Sequence, residues 1–526
     1  MSLKRQAIRH SAIYSVSNLL GRLVGFIMLP FYARIFETQG YGIIALVDSS
    51  IGLLSIAFST GVHQALLKTY HEEPEDRKYL VVGTAICTIW GLSLMCIPLP
   101  ALASPWIGAL VLDDARLWPL IVMGLLTFVI DMGGRSASAF LIIRQQSVLY
   151  SLVNLIQLVI GITLNIYLVI YLRVGIIGIF ISSLITVSIG AIIFHVKAIQ
   201  SYGLHYDVAI RKKITRFWFP LIPGELSAYV GRQAERYIVK FVVGLNGVGI
   251  LEMAYKFPPL LNILVTFPFL RAWQTKCMEI GEHPDGPREI ATMFTYYIFL
   301  ICWGAVFLAA NISTVLKLMT PPEFWPAARI AQVDIATTII FSASTYLLFG
   351  LLYTKQTKVI SSIRAVMAIG RVIFSFAFIT FFGLTGAVYS ALFMETVFLI
   401  WSFKLSQRAY TLPLEYLKIV FIGVSALLFV YVIEFTSIVP ISFAGNINRL
   451  ISYTVQYISS SEGPAYGKLF NVIHHHSMDV SILIVNSFLC SLYFLVILLV
   501  KPDLIKGTGK YEMLLSFGNR LIARLK

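Results

Sequence analysis

The chain has 526 residues, of which 58 % are hydrophobic and only 13 % charged, and its mean hydropathy is +0.81. A soluble chain carries roughly 25 % charged residues, so a soluble globular protein is excluded and an all-α polytopic membrane protein is expected. The net charge of +15 does not point to nucleic acid, because most basic residues fall in short loops that alternate along the chain, the distribution of topogenic signals.

Apolar runs near twenty residues, each able to cross a ~30 Å hydrocarbon core as a helix, recur from end to end. MSLKRQAIRH is basic and leads into an apolar stretch without a small-x-small cleavage site, so it reads as the start of an uncleaved first span. Fourteen spans are predicted, at 11–36, 41–67, 79–102, 117–142, 148–171, 175–197, 214–243, 247–271, 290–316, 325–353, 357–381, 383–405, 414–436 and 480–500. DMGGR at 131–135 interrupts the fourth. Residues 437–479 form an outside loop, and MLLSFGNRLIARLK in the basic tail reads either as an amphipathic surface helix or as a free tail. With the N-terminus inside, the inside loops hold 27 lysines and arginines against 7 outside. This positive-inside bias places both termini in the cytoplasm.

Few motifs suggest bound groups. Four of the five cysteines lie in apolar segments, without metal or disulfide spacing. His474, His475 and His476 cannot all face one way and have no acidic pattern beyond Asp479, so they read as a solvated stretch and no metal is expected. GTGK at 507–510 lacks the full phosphate-loop spacing. No catalytic constellation or cofactor site is visible.

Shifting the chain by 207 residues lays ETQGYGIIAL (37–46) over GLNGVGILEM (244–253), aligning Gly40 with Gly247, Gly42 with Gly249, and Ile43 with Ile250. The same register puts Asn18 on Glu225. The copies lie six spans apart, an even number, so they share one orientation. That is the parallel repeat of two transporter halves.

The opening HSAIYSVSNLLGRLVGFIMLPFYARIFETQGYGIIAL, followed by STGVHQALLKTYHE, resembles the polysaccharide-export branch of the multidrug/oligosaccharidyl-lipid/polysaccharide (MOP) exporter superfamily, the Wzx-type O-antigen flippases. FWFPLIPGELSAYVGRQAERYIVKFVVGLNGVGILEMAYKF resembles that family's seventh and eighth helices, and FLRAWQ the end of the eighth. The likeness is strongest over 11–75 and 214–280. Where family members often carry Asp-Arg-Tyr, this chain has Glu235, Arg236 and Tyr237. The loop at 437–479 departs from the family's pattern.

Together with the repeat, the resemblance implies two pseudo-symmetric six-helix halves, 1–205 and 206–410, two further helices within 411–500, and a basic cytoplasmic tail, 501–526. It implies a bacterial inner-membrane exporter, not an enzyme. The cargo would be a polyprenyl-pyrophosphate-linked oligosaccharide, an O-antigen or exopolysaccharide repeat unit, moved by alternating access through a cationic cavity. Membrane lipids, a polysaccharide polymerase and a chain-length regulator are the implied partners. Three other readings stay open: a drug or cation antiporter of the same superfamily, a lipid II flippase, and a membrane-embedded glycan ligase or polymerase.

The seventh span holds GRQAERYIVK (231–240), four charges in ten residues, although each ion at a lipid-exposed helix centre costs at least ~2.5–3.5 kcal/mol. At about 100° per residue, with Arg232 at 0°, Glu225 falls near 20°, Arg236 near 40°, Lys240 near 80° and Glu235 near 300°, opposite an apolar side with Val230, Ala234, Tyr237 and Phe241. A charged stripe must face the bundle or water. In the first span, Ser11, Ser15, Asn18 and Arg22 share a milder polar face. Further ions in spans are Asp48, Asp131 and Arg135, Glu252 and Lys256, Asp334, Arg371 and Glu395. An arginine's planar fork suits a phosphate, so Arg22, Arg232 and Arg236 are the candidate anion contacts, with Asn18, Arg135, Lys256 and Arg371 beside them. Glu225, Glu235, Asp48, Glu252 and Asp334 are candidate coupling or pairing carboxylates. The structural alternatives are an i,i+3 pair of Arg232 with Glu235, snorkelling of Lys240, a helix break at Arg135, and an inner-surface anchor at Arg371.

Overall fold

The computed structural model describes residues 25–436 and 477–500, except 27 and 145. Arg22, Asn18, the outside loop with His474–His476 and the basic tail lie outside the described residues. Every described element is helical: α1 (Leu29–Glu72), α2 (Lys78–Met95), α3 (Pro98–Leu102), α4 (Ser104–Leu112), α5 (Trp118–Ile143), α6 (Ser147–Asn165), α7 (Ile176–Tyr202), α8 (Val208–Trp218), α9 (Ile222–Val242) and α10 (Leu245–Ala254). They continue with α11 (Pro258–Leu261), α12 (Phe267–Ile280), α13 (Gly286–Met319), α14 (Ala327–Leu347), α15 (Phe349–Tyr353), α16 (Thr357–Phe382), α17 (Leu384–Ala409), α18 (Tyr416–Thr436) and α19 (Ser477–Val500). Nine segments among the described residues are long and apolar enough to cross a membrane, so the count of fourteen is not reached within them.

The departures from the predicted spans have backbone causes. Spans one and two meet inside α1 at Glu37, whose φ of 52° and ψ of −171° interrupt the helix. The third span runs to Leu102 as expected but is interrupted after Met95, because Pro98 and Pro100 lack the N–H groups that would continue α2. The seventh is two helices parted by a tight turn, Phe219–Leu221, at Pro220 and Pro223, and the eighth is broken before Pro258 and Pro259. DMGGR does the opposite of what was expected: α5 runs through it unbroken. Gly133 faces the Trp90 indole and Gly134 lies within 3.2 Å, at its missing Cβ, of Ala191 on α7. The glycines let neighbouring helices approach rather than ending this one.

The chain separates into two compact units, Met1–Met253 with Arg364–Ser390, and Ala254–Ile363 with Ala391–Lys526. The first unit has a core of α2, α5, α7 and α8 residues, among them Ile86, Phe128, Phe140, Phe194, Ile214 and Trp218. On its α6, Val148, Leu152, Leu155 and Val159 are exposed. An apolar stripe turned outward belongs against lipid, not water. The second unit is built around α13, with Phe294, Tyr297, Ile301 and Cys302 packed against Tyr346, Phe349, Ile422 and Cys490. There α19 is tied to α13 by Asn486, which donates to the Ala310 carbonyl at 3.0 Å.

Within the first unit the 207-residue repeat reappears as a contact. A Cβ on Gly42 would meet the Leu245 carbonyl and lie 3.2 Å from the Gly249 nitrogen. A Cβ on Gly249 would meet the Thr38 carbonyl, 2.8 Å from its carbon. In the repeat register Thr38 is the mate of Leu245, and Gly42 the mate of Gly249. Exchanging the copies therefore maps the contact onto itself, as a two-fold interface requires. Thr38 also donates to Asn246 at 3.2 Å.

Candidate functional site

Helix α9 organises the charges of the first unit. Its buried edge, Gly231, Glu235 and Val239, repeats every four residues, and a Cβ at Gly231 would lie 3.2 Å from Ala368 on α16. Three consecutive residues, about 100° apart on the helix, then reach three different neighbours. The Glu235 carboxylate, 1 % exposed, accepts from Arg371 Nε of α16 at 2.9 Å. Arg236 donates to Glu252 of α10 through Nε at 2.9 Å and Nη2 at 2.7 Å, and through Nη1 to Gln233. The Tyr237 hydroxyl lies 2.9 Å from Ser50 Oγ of α1. About two turns back, the Tyr229 hydroxyl donates to the Ser49 carbonyl at 2.9 Å.

The predicted stripe is thereby corrected from a single face to a fan. Arg232 does not pair with Glu235, which turns to α16 instead. Tyr237, placed on the apolar side by helical angle, uses its hydroxyl to hold α1. Lys240 does not snorkel: it is 7 % exposed, 2.8 Å from Asp113 Oδ1 and 2.6 Å from the Leu110 carbonyl. A cation at the C-terminal end of α4 meets the unsatisfied carbonyls there and the negative end of the helix dipole. Arg371, a candidate cavity cation, is held by Glu235. Among the described residues Arg232 makes no ion pair or hydrogen bond, and it is exposed.

The other candidates divide between the units. In the first, Arg135 sits on the continuous α5 and pairs with Asp131 one turn earlier at 2.7 Å. Asp48 is exposed next to Ser49 and Ser50, and Glu225 is half-buried in the first turn of α9. Lys256, Asp334 and Glu395 lie in the second unit, each half-buried. Among the described residues no group of three His, Cys, Asp or Glu is placed to hold a metal.

Sequence reasoning missed Gln233, Asp113, Tyr229 and the Asn246 contact. Asp113 is distant in sequence and carries no periodic signal; Tyr229 reads as an apolar helix residue until its hydroxyl is placed. Chemically, two nearly dry ion pairs leave α9 neutral where it is packed. Breaking one by removing a partner costs about 3–5 kcal/mol, so these pairs fix the helix. Among the described residues Arg232 is the α9 cation left without an ion pair, and it is exposed.

Comparison with known proteins agrees with this architecture. A lipid II flippase MurJ in an inward closed conformation superposes with a TM-score of 0.66 at 13 % identity, covering 94 % of this chain and 100 % of that one. An inward-facing multidrug resistance MATE family transporter of the MOP superfamily gives 0.60 at 12 % identity, covering 74 % and 93 %. A MOP superfamily transporter from Pyrococcus furiosus, described as having a binding pocket of reversed polarity, gives 0.52 at 15 % identity over 77 % and 94 %. At these identities the likeness is one of fold. No curated protein matches the sequence. Residues 7–274 match the family described as polysaccharide biosynthesis protein, half of the chain. The chain is thus a multi-pass membrane protein with the MOP transporter fold, and it belongs to the polysaccharide biosynthesis protein family.

Proposed function

We propose that this protein is a flippase that carries a polyprenyl-pyrophosphate-linked oligosaccharide, an O-antigen or exopolysaccharide repeat unit, across the bacterial inner membrane. Arg232 carries the reading: an exposed guanidinium without an ion pair among the described residues, on a helix whose other two cations, Arg236 and Lys240, are paired. Its planar fork suits the pyrophosphate, which is common to all such cargo, while the sugars vary. Arg22, in the repeat-related first span, is the proposed second anion contact, with Asn18 beside it. Arg236, Arg371 and Arg135, each held in an ion pair, are further candidate lining residues, and Lys256 is a further candidate cation. Glu235 and Glu252 orient the arginines; Glu225, Asp48 and Asp334 are the proposed coupling carboxylates. On this reading halves 1–205 and 206–410 alternate access, both termini are cytoplasmic, the prenyl chain stays in lipid, and no bond is made or broken. A polymerase and a chain-length regulator act on the product at the outer face.

A second reading, a lipid II flippase, is favoured by the similarity to MurJ over nearly the full length of both chains. One experiment separates them. In a deletion strain, undecaprenyl-linked repeat unit should accumulate on the inner leaflet and be cleared by the wild-type gene but not by Arg232→Gln. Accumulation of lipid II instead supports the second reading. Normal export of both with altered drug tolerance refutes both.

A further inference from the structure

Helix α8 takes no part in the site above, yet it carries four basic residues in VAIRKKITRFW. Its Ile210, Ile214 and Trp218, spaced by four, are buried in the core of the first unit. Two charged groups fasten it there. Asp207 caps its first turn, accepting from the Ala209 N–H at 2.7 Å and the Ile210 N–H at 3.1 Å, and pairs with Arg77 at 2.9 Å. Lys213 pairs with Glu73, whose carboxylate is 3 % exposed. Lys213 therefore belongs to the fold.

The other three basic residues do not. Arg211, Lys212 and Arg216 are exposed and make no ion pair or side-chain hydrogen bond among the described residues. Around them Leu204, Tyr206, Val208 and Phe219 expose apolar surface, Phe219 by 70 %. A face meant only for water has no use for that apolar rim. The membrane is also near. The apolar helix α7 ends at Tyr202, and residues 203–207 reach at most about 18 Å before α8 begins. Cations interleaved with aromatic and aliphatic groups, on a helix docked at the end of a span, fit the head-group layer, where charge meets phosphate and apolar groups meet the acyl boundary.

We propose that the outward face of α8, centred on Arg211, Lys212 and Arg216, binds the head groups of acidic phospholipids in the adjacent leaflet. The docked helix presents its cations already ordered, so binding needs no folding of the segment. Three basic residues near an acidic surface correspond to roughly a hundredfold in lipid preference.

The test uses the full-length protein in nanodiscs of phosphatidylcholine alone or with phosphatidylglycerol, read by hydrogen exchange of residues 208–218. We expect exchange slower by roughly tenfold or more in the acidic disc, a difference that collapses in about 1 M salt, where the Debye length is about 3 Å. R211Q/K212Q/R216Q should exchange at the neutral-disc rate in both lipids, while K355Q/K358Q/R364Q, elsewhere on the inside surface, should keep the difference. Should the triple variant loosen the helix even in the neutral disc, Lys212→Gln and Arg216→Gln singly decide, each expected to shrink the difference severalfold. Lys213→Gln should speed exchange equally in both lipids. Equal wild-type exchange in the two discs overturns the proposal, as does a difference that survives the removal of the three charges.

Discussion

The reciprocal contact at Gly42 and Gly249 makes a prediction whose sign depends on tertiary structure. In an isolated helix, replacing Gly by Ala stabilises by about 0.8–1 kcal/mol. At Gly249 the new methyl would run into the Thr38 carbonyl, 2.8 Å from its carbon. The obstacle is backbone and cannot rotate aside, so α10 must move away from α1. Overpacking of this kind costs about 1–3 kcal/mol, and the displacement also strains the Thr38 to Asn246 hydrogen bond, worth about 1 kcal/mol. Gly249→Ala should therefore be net destabilising by about 1–3 kcal/mol. Gly423→Ala on α18, where a Cβ meets nothing within 4 Å, should be neutral or stabilising by up to about 1 kcal/mol. Gly42→Ala should behave like Gly249→Ala, and the double variant should cost less than the sum, because either methyl alone opens the shared contact. Thermal unfolding in one detergent compares all four. If Gly249→Ala is as stable as Gly423→Ala, the close approach, and with it the reciprocal reading of the repeat, is wrong.

Glu235→Ala should destabilise by about 1–3 kcal/mol by removing the buried carboxylate that accepts from the partly buried Arg371 guanidinium, whereas Glu235→Leu with Arg371→Leu should recover most of the loss in the same melting assay. Arg232→Gln should leave the melting temperature within about 0.5 kcal/mol of wild type, as for surface changes generally, while reducing clearance of the lipid-linked intermediate; an equal fall in stability would make Arg232 structural. Hydrogen bonds from the Ile210 and Ala209 N–H groups, then the Arg77 guanidinium, hold the Asp207 carboxyl below the usual carboxylate range. Its folded pKa is thus below its unfolded one, so its contribution to holding α8 is complete above the ordinary carboxylate pKa and lost as pH falls below it. Relative to the intrinsic exchange rate at each pH, amide protection at the start of α8 should fall in that acid window in the wild type, and Asp207→Asn should remove that change in protection.

Much of the fold was legible because lipid imposes a simple rule: a span must be apolar, and an ion within it needs a reason. That rule found apolar helices and singled out GRQAERYIVK. It erred where a residue's effect depends on what lies opposite. DMGGR reads as a break because glycine disfavours helix, yet Gly133 and Gly134 serve the approach of Trp90 and Ala191. The stripe on α9 reads as one face because helical angle knows nothing of neighbours. Long side chains then bend toward whichever partner is near, so Glu235, Arg236 and Lys240 reach α16, α10 and the end of α4.

The sequence alone therefore settled the all-helical membrane class and the family likeness, since these follow from hydropathy and identity along one chain. Only the tertiary structure decided which charges neutralise one another. Pairing is a matter of distance between helices remote in sequence, over which Asp113 meets Lys240 and Glu235 meets Arg371. Among the described residues it left Arg232 as the α9 cation without an ion pair, and it turned an alignment of glycines into a contact, because backbone approach is a property of two surfaces and not of either sequence.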